Sequence, residues 1–419
     1  MKETLGNRIK EGLRDMCYIW AKEMRSTVTD EGVLIFFILV PLLYPLVYSW
    51  IYTNEVVREV PVAVVDLSHS QESRQFIRSF DASPDVRVIG HYNNLLEARQ
   101  MVERQKARGV LYFPEDFSTR LARSEQSHVG VYCDMSLMLT YKAIYQNAQA
   151  IATDMGATIQ AGKSGAFTAR DAAISTEPVS VNAVQIFNAT GGYGNAILPG
   201  VLIIILQQTL LLGIGLAAGT ARENNRYQDL VPISHHYNGI FRIVLGKSLC
   251  YMMVYAVMGA YVTLCVPRFF GFTSMVHGDT LLALMVPYLL ACIFFGMALS
   301  CMVRYRENVM LLVVFTSVPL LFMTGLSWPQ SNIPGIWQGV SMLFPSTFGV
   351  RAFLRTSSMG GTLGDVQPEY IALWTQTLVY FLITCFVYQY QLNHTRRHAR
   401  EHLKELQQKV VEAMEQSND

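Results

Sequence analysis

Two short stretches carry the residue types of a chemical site. Residues 156–164, GATIQAGKS, end like a phosphate-binding loop, and His394, His398 and His402 recur every fourth residue. A phosphate loop reads G-x-x-x-x-G-K-[ST], its glycines letting backbone N–H groups cradle phosphates. Here Ala157 stands five residues before Gly162, and Gly156 comes one place too early. No strand precedes the stretch; a helical pattern over about 137–160 does. A turn that ends a long helix at Lys163 and Ser164 is therefore expected, and ATP binding by this chain is not. The three histidines would share one helical face, a geometry that suits a divalent metal. Arg396, Arg397 and Arg400 crowd the same turns and repel a cation, so a solvated or headgroup-facing basic tail is expected. His235-His236 has no acidic or cysteine companion at ligand spacing and is expected at the surface. Seven cysteines form no C-x-x-C pair, and neither G-x-S-x-G nor H-E-x-x-H occurs. No catalytic group, metal site or disulfide framework is expected.

Polar residues inside apolar runs are more informative, because at membrane depth they are costly unless paired or wet. Gln207 and Gln208 sit mid-way along one such run, and Thr316 and Ser317 in another. They bond neighbouring helices or line a translocation path.

The 419 residues are 51% hydrophobic and 16% charged, with a mean hydropathy of +0.25. Charge is segregated: long uncharged runs alternate with charged stretches. Residues 33–53, 196–219, about 248–267, 280–303, 308–327 and 371–391 each approach the roughly 20 apolar residues a membrane crossing needs. The fold class is a polytopic α-helical membrane protein of six spans, with an extracytoplasmic α/β domain inserted between the first and second. Residues 1–30 are charged and have no apolar core of a cleavable signal peptide. The net charge of +1 is spread out, which gives no nucleic-acid patch.

Lys and Arg flank the first run, fill 220–247, mark 304–307 and return after 391; the outer connection 268–279 holds only Arg268. The positive-inside rule then puts both termini in the cytoplasm. The long segment 54–195 falls outside. Its VPVAVVD, VRVIGHY, GVLYFP and HVGVYCD read as strands, and the stretches between them have helical spacing. The N-terminal segment (1–32) contains an amphipathic helix at 8–25, with Leu13, Met16, Cys17, Trp20 and Met24 on one face. It lies in the inner interface or packs as an ordinary helix. The tail 392–419 is basic and cytoplasmic.

Two connections have a mechanical reading. ARENNRYQDLVPISHHYNGIF (221–241) can form a short helix along the membrane that a cytoplasmic partner could push. GLSWPQSNIPGIWQGVSMLFPSTFGV (325–350) is apolar but broken by Pro329, Pro334, Gly335, Gly339 and Pro345. It is too interrupted to span, so a re-entrant hairpin over 328–350 is expected.

This layout resembles the type-2 permeases of ATP-binding-cassette exporters, in the bacterial branch with a large outer domain. IFNATGGYGNAILPG (186–200), with Asn188 and Pro199-Gly200, carries the resemblance, as do ARE (221–223) and GLSWPQSNIP…FPSTF. Arg222 and Glu223 match the family's E-R-E-x-G-T, whereas Ala221 replaces its first acid and Asn225-Arg226 stand at Gly-Thr. The resemblance implies an inner-membrane exporter subunit that binds no cofactor, with ATP and Mg on separate cytoplasmic ATPase subunits. Arg222, Glu223, Arg226, Asp229, Leu230 and Pro232 would be the ATPase-coupling residues. Pro329, Pro334, Gly335 and Pro345 would form the outer gate. A second permease copy or paralogue would complete the pore, and the outer domain would meet a periplasmic membrane-fusion adaptor. The competing reading is a membrane-anchored sensor or assembly scaffold with a ligand-binding outer domain; it needs neither the broken hairpin nor a partner-facing inner loop.

Overall fold

The computed structural model describes residues 5–53, 57–123, 125–164, 192–224, 239–302 and 305–416, with positions 168, 170, 187, 188, 231 and 235–237. The chain forms two compact units, Met1–Thr53 with Tyr193–Asp419, and Asn54–Gly192.

In the first unit, helix α1 (Leu5–Thr29) stops at Asp30, whose carboxylate caps the next helix by accepting from the N–H groups of Gly32 and Val33 at 3.0 and 3.2 Å. That helix, α2 (Glu31–Ile51), is the first of six long and apolar enough to cross a membrane.

The second unit follows in the chain as β1 (Val60–Asp66), α3 (Gln71–Asp81), β2 (Val86–His91), α4 (Leu95–Glu103), β3 (Gly109–Phe113), α5 (Phe117–Ala122), β4 (Gly130–Cys133) and α6 (Met138–Ser164). The strand order is β2-β1-β3-β4, with β4 antiparallel at one edge and the rest parallel. Val60, Val62, Val64, Leu111 and Phe113 pack with Phe76 and Phe80 of α3 and Ile144 of α6. Ala63, Val65 and Val110 pack on the opposite face with Ala98 of α4. Cover on both faces is why β1 reads as an unbroken apolar run rather than an alternating one. Residues 156–164 lie inside α6. Backbone N–H groups that a phosphate loop would aim at a ligand are committed to the helical ladder.

The first unit resumes with α7 (Tyr193–Asn224), α8 (Ile240–Phe270), α9 (Gly278–Met302), α10 (Arg306–Met323), α11 (Gly335–Ser341), α12 (Pro345–Met359) and α13 (Gln367–Gln416). Helix α7 is the hub: 83% of its apolar window is buried against 17% for α10 and for α13. Glycine makes the hub possible, since a Cβ at Gly213 would fall 2.1 Å from Phe37 of α2, and one at Gly215 2.3 Å from Val309 of α10. A π-helical turn precedes Pro41 in α2 and another precedes Pro267 in α8. Both relieve the clash of a proline ring with the preceding carbonyl.

The third membrane-length helix starts at Ile240, eight residues before the uncharged run, so the inner connection is shorter than 220–247. Arg242 and Lys247 lie inside the helix because carboxylates of α1 neutralise them. The sixth continues without a break past residue 391 to Gln416.

Candidate functional site

Two carboxylates on the buried side of α1, and that of Asp30 just after it, fasten this segment to the ends of other helices. Asp15 Oδ1 lies 2.7 Å from His236 Nδ1, and its Oδ2 accepts from Arg242 of α8, also at 2.7 Å. Glu23 is paired with Lys247 at 3.1 Å and accepts the Tyr251 hydroxyl. Asp30 accepts the Thr220 hydroxyl at 2.6 Å near the end of α7 and is 3.6 Å from Arg306 at the start of α10. Helix α1 and the residue that follows it thus hold three other helices where they enter or leave the apolar layer.

Burial works against the Asp15 carboxylate. Hydrogen bonds from His236 and Arg242, and the Arg242 charge, outweigh it and hold the carboxyl below the usual carboxylate range. Tyr18 stacks against His236 with ring centroids 4.4 Å apart, and Lys22 Nζ sits 5.2 Å above the Tyr237 ring. His236 is therefore anchored to α1 rather than left at the surface, and Tyr237 and Val231 join the core.

The stripe that α1 buries is Asp15, Ile19, Glu23 and Thr27. It is rotated from the expected apolar face: Met16, Trp20 and Met24 are half-buried beside it, while Leu13 and Cys17 are exposed. Asp15 and Glu23 outrank apolar residues here because each has a partner on α8 or the connection before it.

Of the expected coupling residues, Arg222 is buried and donates to the Cys301 carbonyl at 2.8 Å, joining the ends of α7 and α9. Glu223 is in the last turn of α7, its side chain outside the described residues, as are Arg226, Asp229, Leu230 and Pro232.

The segment 325–359 enters the bundle and returns. Pro329 precedes a 3₁₀ turn (Gln330–Asn332), Pro334 precedes α11, and Pro345 is the first residue of α12. Each proline starts a helix, where its missing N–H costs nothing. The turn at 342–346 sits deep. Ser346 N–H donates to Gln207 Oε1 at 2.7 Å, and Gln207 is 14 residues, about 21 Å, along α7 from Tyr193. Gln376 of α13 donates to the Met342 carbonyl at 2.7 Å, and the Tyr380 hydroxyl donates to Leu343. Gln207 thus caps, from another helix, a helix start buried in the apolar layer. Gly349 is required on α12, since a Cβ there would lie 2.5 Å from the Tyr288 ring of α9; at Gly335 a Cβ would meet nothing within 4 Å. Toward the C-terminal end of α12, Arg355 pairs with Glu369 of α13 at 3.0 Å. Along this α12–α13 seam, Ser346 Oγ, Arg351 Nη2, Glu369 Oε2 and Gln376 Oε1 are buried without partners.

Gln208 is buried beside Gln207. Thr316 and Ser317 are half-buried on α10, and their hydroxyls donate back to Leu312 and Val314 of their own helix. Among the described residues no hydrogen bond joins these two to the glutamines. His394 is exposed on α13 with its ring 6.3 Å from Tyr390, and the side chains of His398 and His402 lie outside the described residues.

Six membrane-length helices, a proline-broken hairpin packed between them and a docked amphipathic helix limit what the chain can be. The model of the ABC-2 family transporter proteins matches residues 32–386. The chain belongs to this family. An inner membrane transport permease of Escherichia coli (strain K12), YhhJ, is 23% identical over 393 residues, covering 88% of this chain and 96% of the relative; the protein of that name from Shigella flexneri matches equally. As an ABC-2 member the chain is a transport permease, and its family implies an ABC ATPase partner. The match begins after α1, so Asp15, Glu23 and Asp30 lie outside it. Apolar periodicity did not single out these three. The eight-residue spacing of Asp15 and Glu23 on one face of α1, with Asp30 as a helix-capping residue before the first apolar run, is the signal that could have.

Proposed function

We propose that this chain is the pore-forming subunit of an exporter that moves its substrate outward across the bacterial inner membrane. ATP, with Mg, is hydrolysed on separate cytoplasmic ATPase subunits, and this chain binds no cofactor itself. Both termini are cytoplasmic, and the α/β unit is extracytoplasmic, available to a periplasmic adaptor. A second permease copy or paralogue covers helices such as α10 and α13, which a single chain leaves largely open. Gln207, Gln208, Thr316 and Ser317 belong to the path where the two permeases meet. The hairpin of Pro329, Pro334, Gly335 and Pro345 forms its outer gate. The unpartnered polar atoms on the α12–α13 seam support a hairpin that exchanges partners when it moves.

The observation that carries the coupling half of this reading is the docking of α1 and Asp30 through three carboxylates. A push on the connection holding Arg222, Glu223, Arg226, Asp229, Leu230 and Pro232 passes through His236 and Arg242 to Asp15. Along α1 it reaches Lys247, and at Asp30 it meets α7 and α10. To test it, the chain is reconstituted with its separately encoded ATPase, and hydrolysis and substrate flux are measured together. Glu223→Ala and Asp229→Ala should leave hydrolysis but lower flux. If ATP-driven flux survived deletion of 222–236, the coupling reading would be wrong.

A further inference from the structure

The α/β unit has a cavity of its own, lined by none of the membrane-length helices. It measures about 1000 Å³ and opens beyond the carboxyl ends of β1 and β2. In parallel sheets this end collects ligands, because loops and helix starts converge there. The volume is at the upper end of small-molecule sites, roughly 300–1,000 Å³.

The loop at its floor is fixed in advance. Asp66 Oδ1 accepts from the N–H groups of Ser68 and His69, both at 3.1 Å, and Oδ2 accepts the Ser73 hydroxyl at 2.7 Å. Ser70 and Ser73 form a capping box at the start of α3. From the helix side, Arg74 donates to the carbonyls of Ser70 and His69 at 3.0 and 3.1 Å. His69 is held at φ +48°, a conformation non-glycine residues seldom adopt.

The charge around this loop is unbalanced. Arg74 and Arg78 stand one turn apart on α3, and His69 and His91 also line the cavity. Asp66 is the sole carboxylate lining it among the described residues, and its oxygens are already engaged by the loop. Neither arginine forms an ion pair among the described residues. Leu67, Ile77 and Tyr92 give the wall apolar surface. Arg74 spends Nε and Nη2 on the loop and Arg78 donates Nε to the Arg74 carbonyl at 3.3 Å; the remaining guanidinium donors, beside apolar surface, suit an oxyanion carried on a small organic body.

We propose that this cavity binds a small organic anion through a carboxylate or phosphate group, with Arg78 as its principal contact and Arg74 and His91 beside it. The site does not depend on the exporter reading. The test uses the full chain in phosphatidylcholine nanodiscs and isothermal titration calorimetry with succinate, inorganic phosphate and, at matched ionic strength, chloride. Saturable one-site binding of succinate or phosphate over chloride is expected. Arg78→Gln should weaken it about tenfold or more, the scale of one charge-assisted hydrogen bond. Arg78→Lys should weaken it less, and Arg120→Gln, outside the cavity, should leave it unchanged. Phosphatidylglycerol discs separate a lipid headgroup from a free solute: competition with the soluble probes that disappears in Arg78→Gln keeps the site and gives a headgroup as its source. No binding above chloride, or equal affinity in a folded Arg78→Gln protein, overturns the proposal.

Discussion

A lysine about a quarter of the way along a membrane-length helix is tolerable only when its charge is met. Lys247 has Glu23 at 3.1 Å, and both side chains are nearly inaccessible to solvent. Such a pair adds little net stability, but removing one member leaves a buried charge alone, at a cost of about 3–5 kcal/mol. Lys247→Met should therefore destabilise strongly, and the double change Glu23→Leu/Lys247→Met should recover most of the loss in unfolding measurements in detergent. Asp15 makes a different prediction. Its folded carboxyl titrates below its unfolded value, so its contribution is complete above the ordinary carboxylate range near 4 and is lost as pH falls through the lowered folded value. The gap in thermal midpoint between wild type and Asp15→Asn should be open at about pH 5 and close below about pH 4. These pairings were out of reach of apolar periodicity, because each joins residues more than 200 positions apart.

At the scale of elements, the sequence showed that 325–350 could not span, but not how its breaks are used. Prolines expected to interrupt the segment instead begin its helices, and the deep turn is stabilised by side chains from α7 and α13. Two of the hairpin glycines offer a paired test. Gly349→Ala forces α12 away from Tyr288 and should cost roughly 1–3 kcal/mol through overpacking. Gly335→Ala enters open space and should be neutral or slightly stabilising, by about 0.4–1 kcal/mol at most. Thermal unfolding of both variants decides this. Equal effects would mean that the α9–α12 contact is not tight.

For the molecule as a whole, orientation is the property that the proposed function most needs. Cys17 on α1 is exposed, and Ser136 is exposed in the α/β unit. Native Cys133 is a poor probe, since burial pushes its thiol up to about 11 and little thiolate forms at neutral pH. With Ser136→Cys, a membrane-impermeant maleimide should label residue 136 from outside intact spheroplasts and Cys17 only in inverted vesicles. Labelling of both from one side would contradict the positive-inside orientation.

Composition and patterning were enough for the six apolar helices, the α/β pattern between the first two and the absence of a phosphate loop in GATIQAGKS. Those features depend on local rules: hydropathy over about 20 residues, strand and helix periodicity, and the spacing of glycines. Only the tertiary structure decided which side of α1 is buried, where the third helix starts, and what Gln207 does. Each of those depends on whether a polar group finds its partner far away in the chain, and in an apolar layer that partner decides whether the group can be there at all.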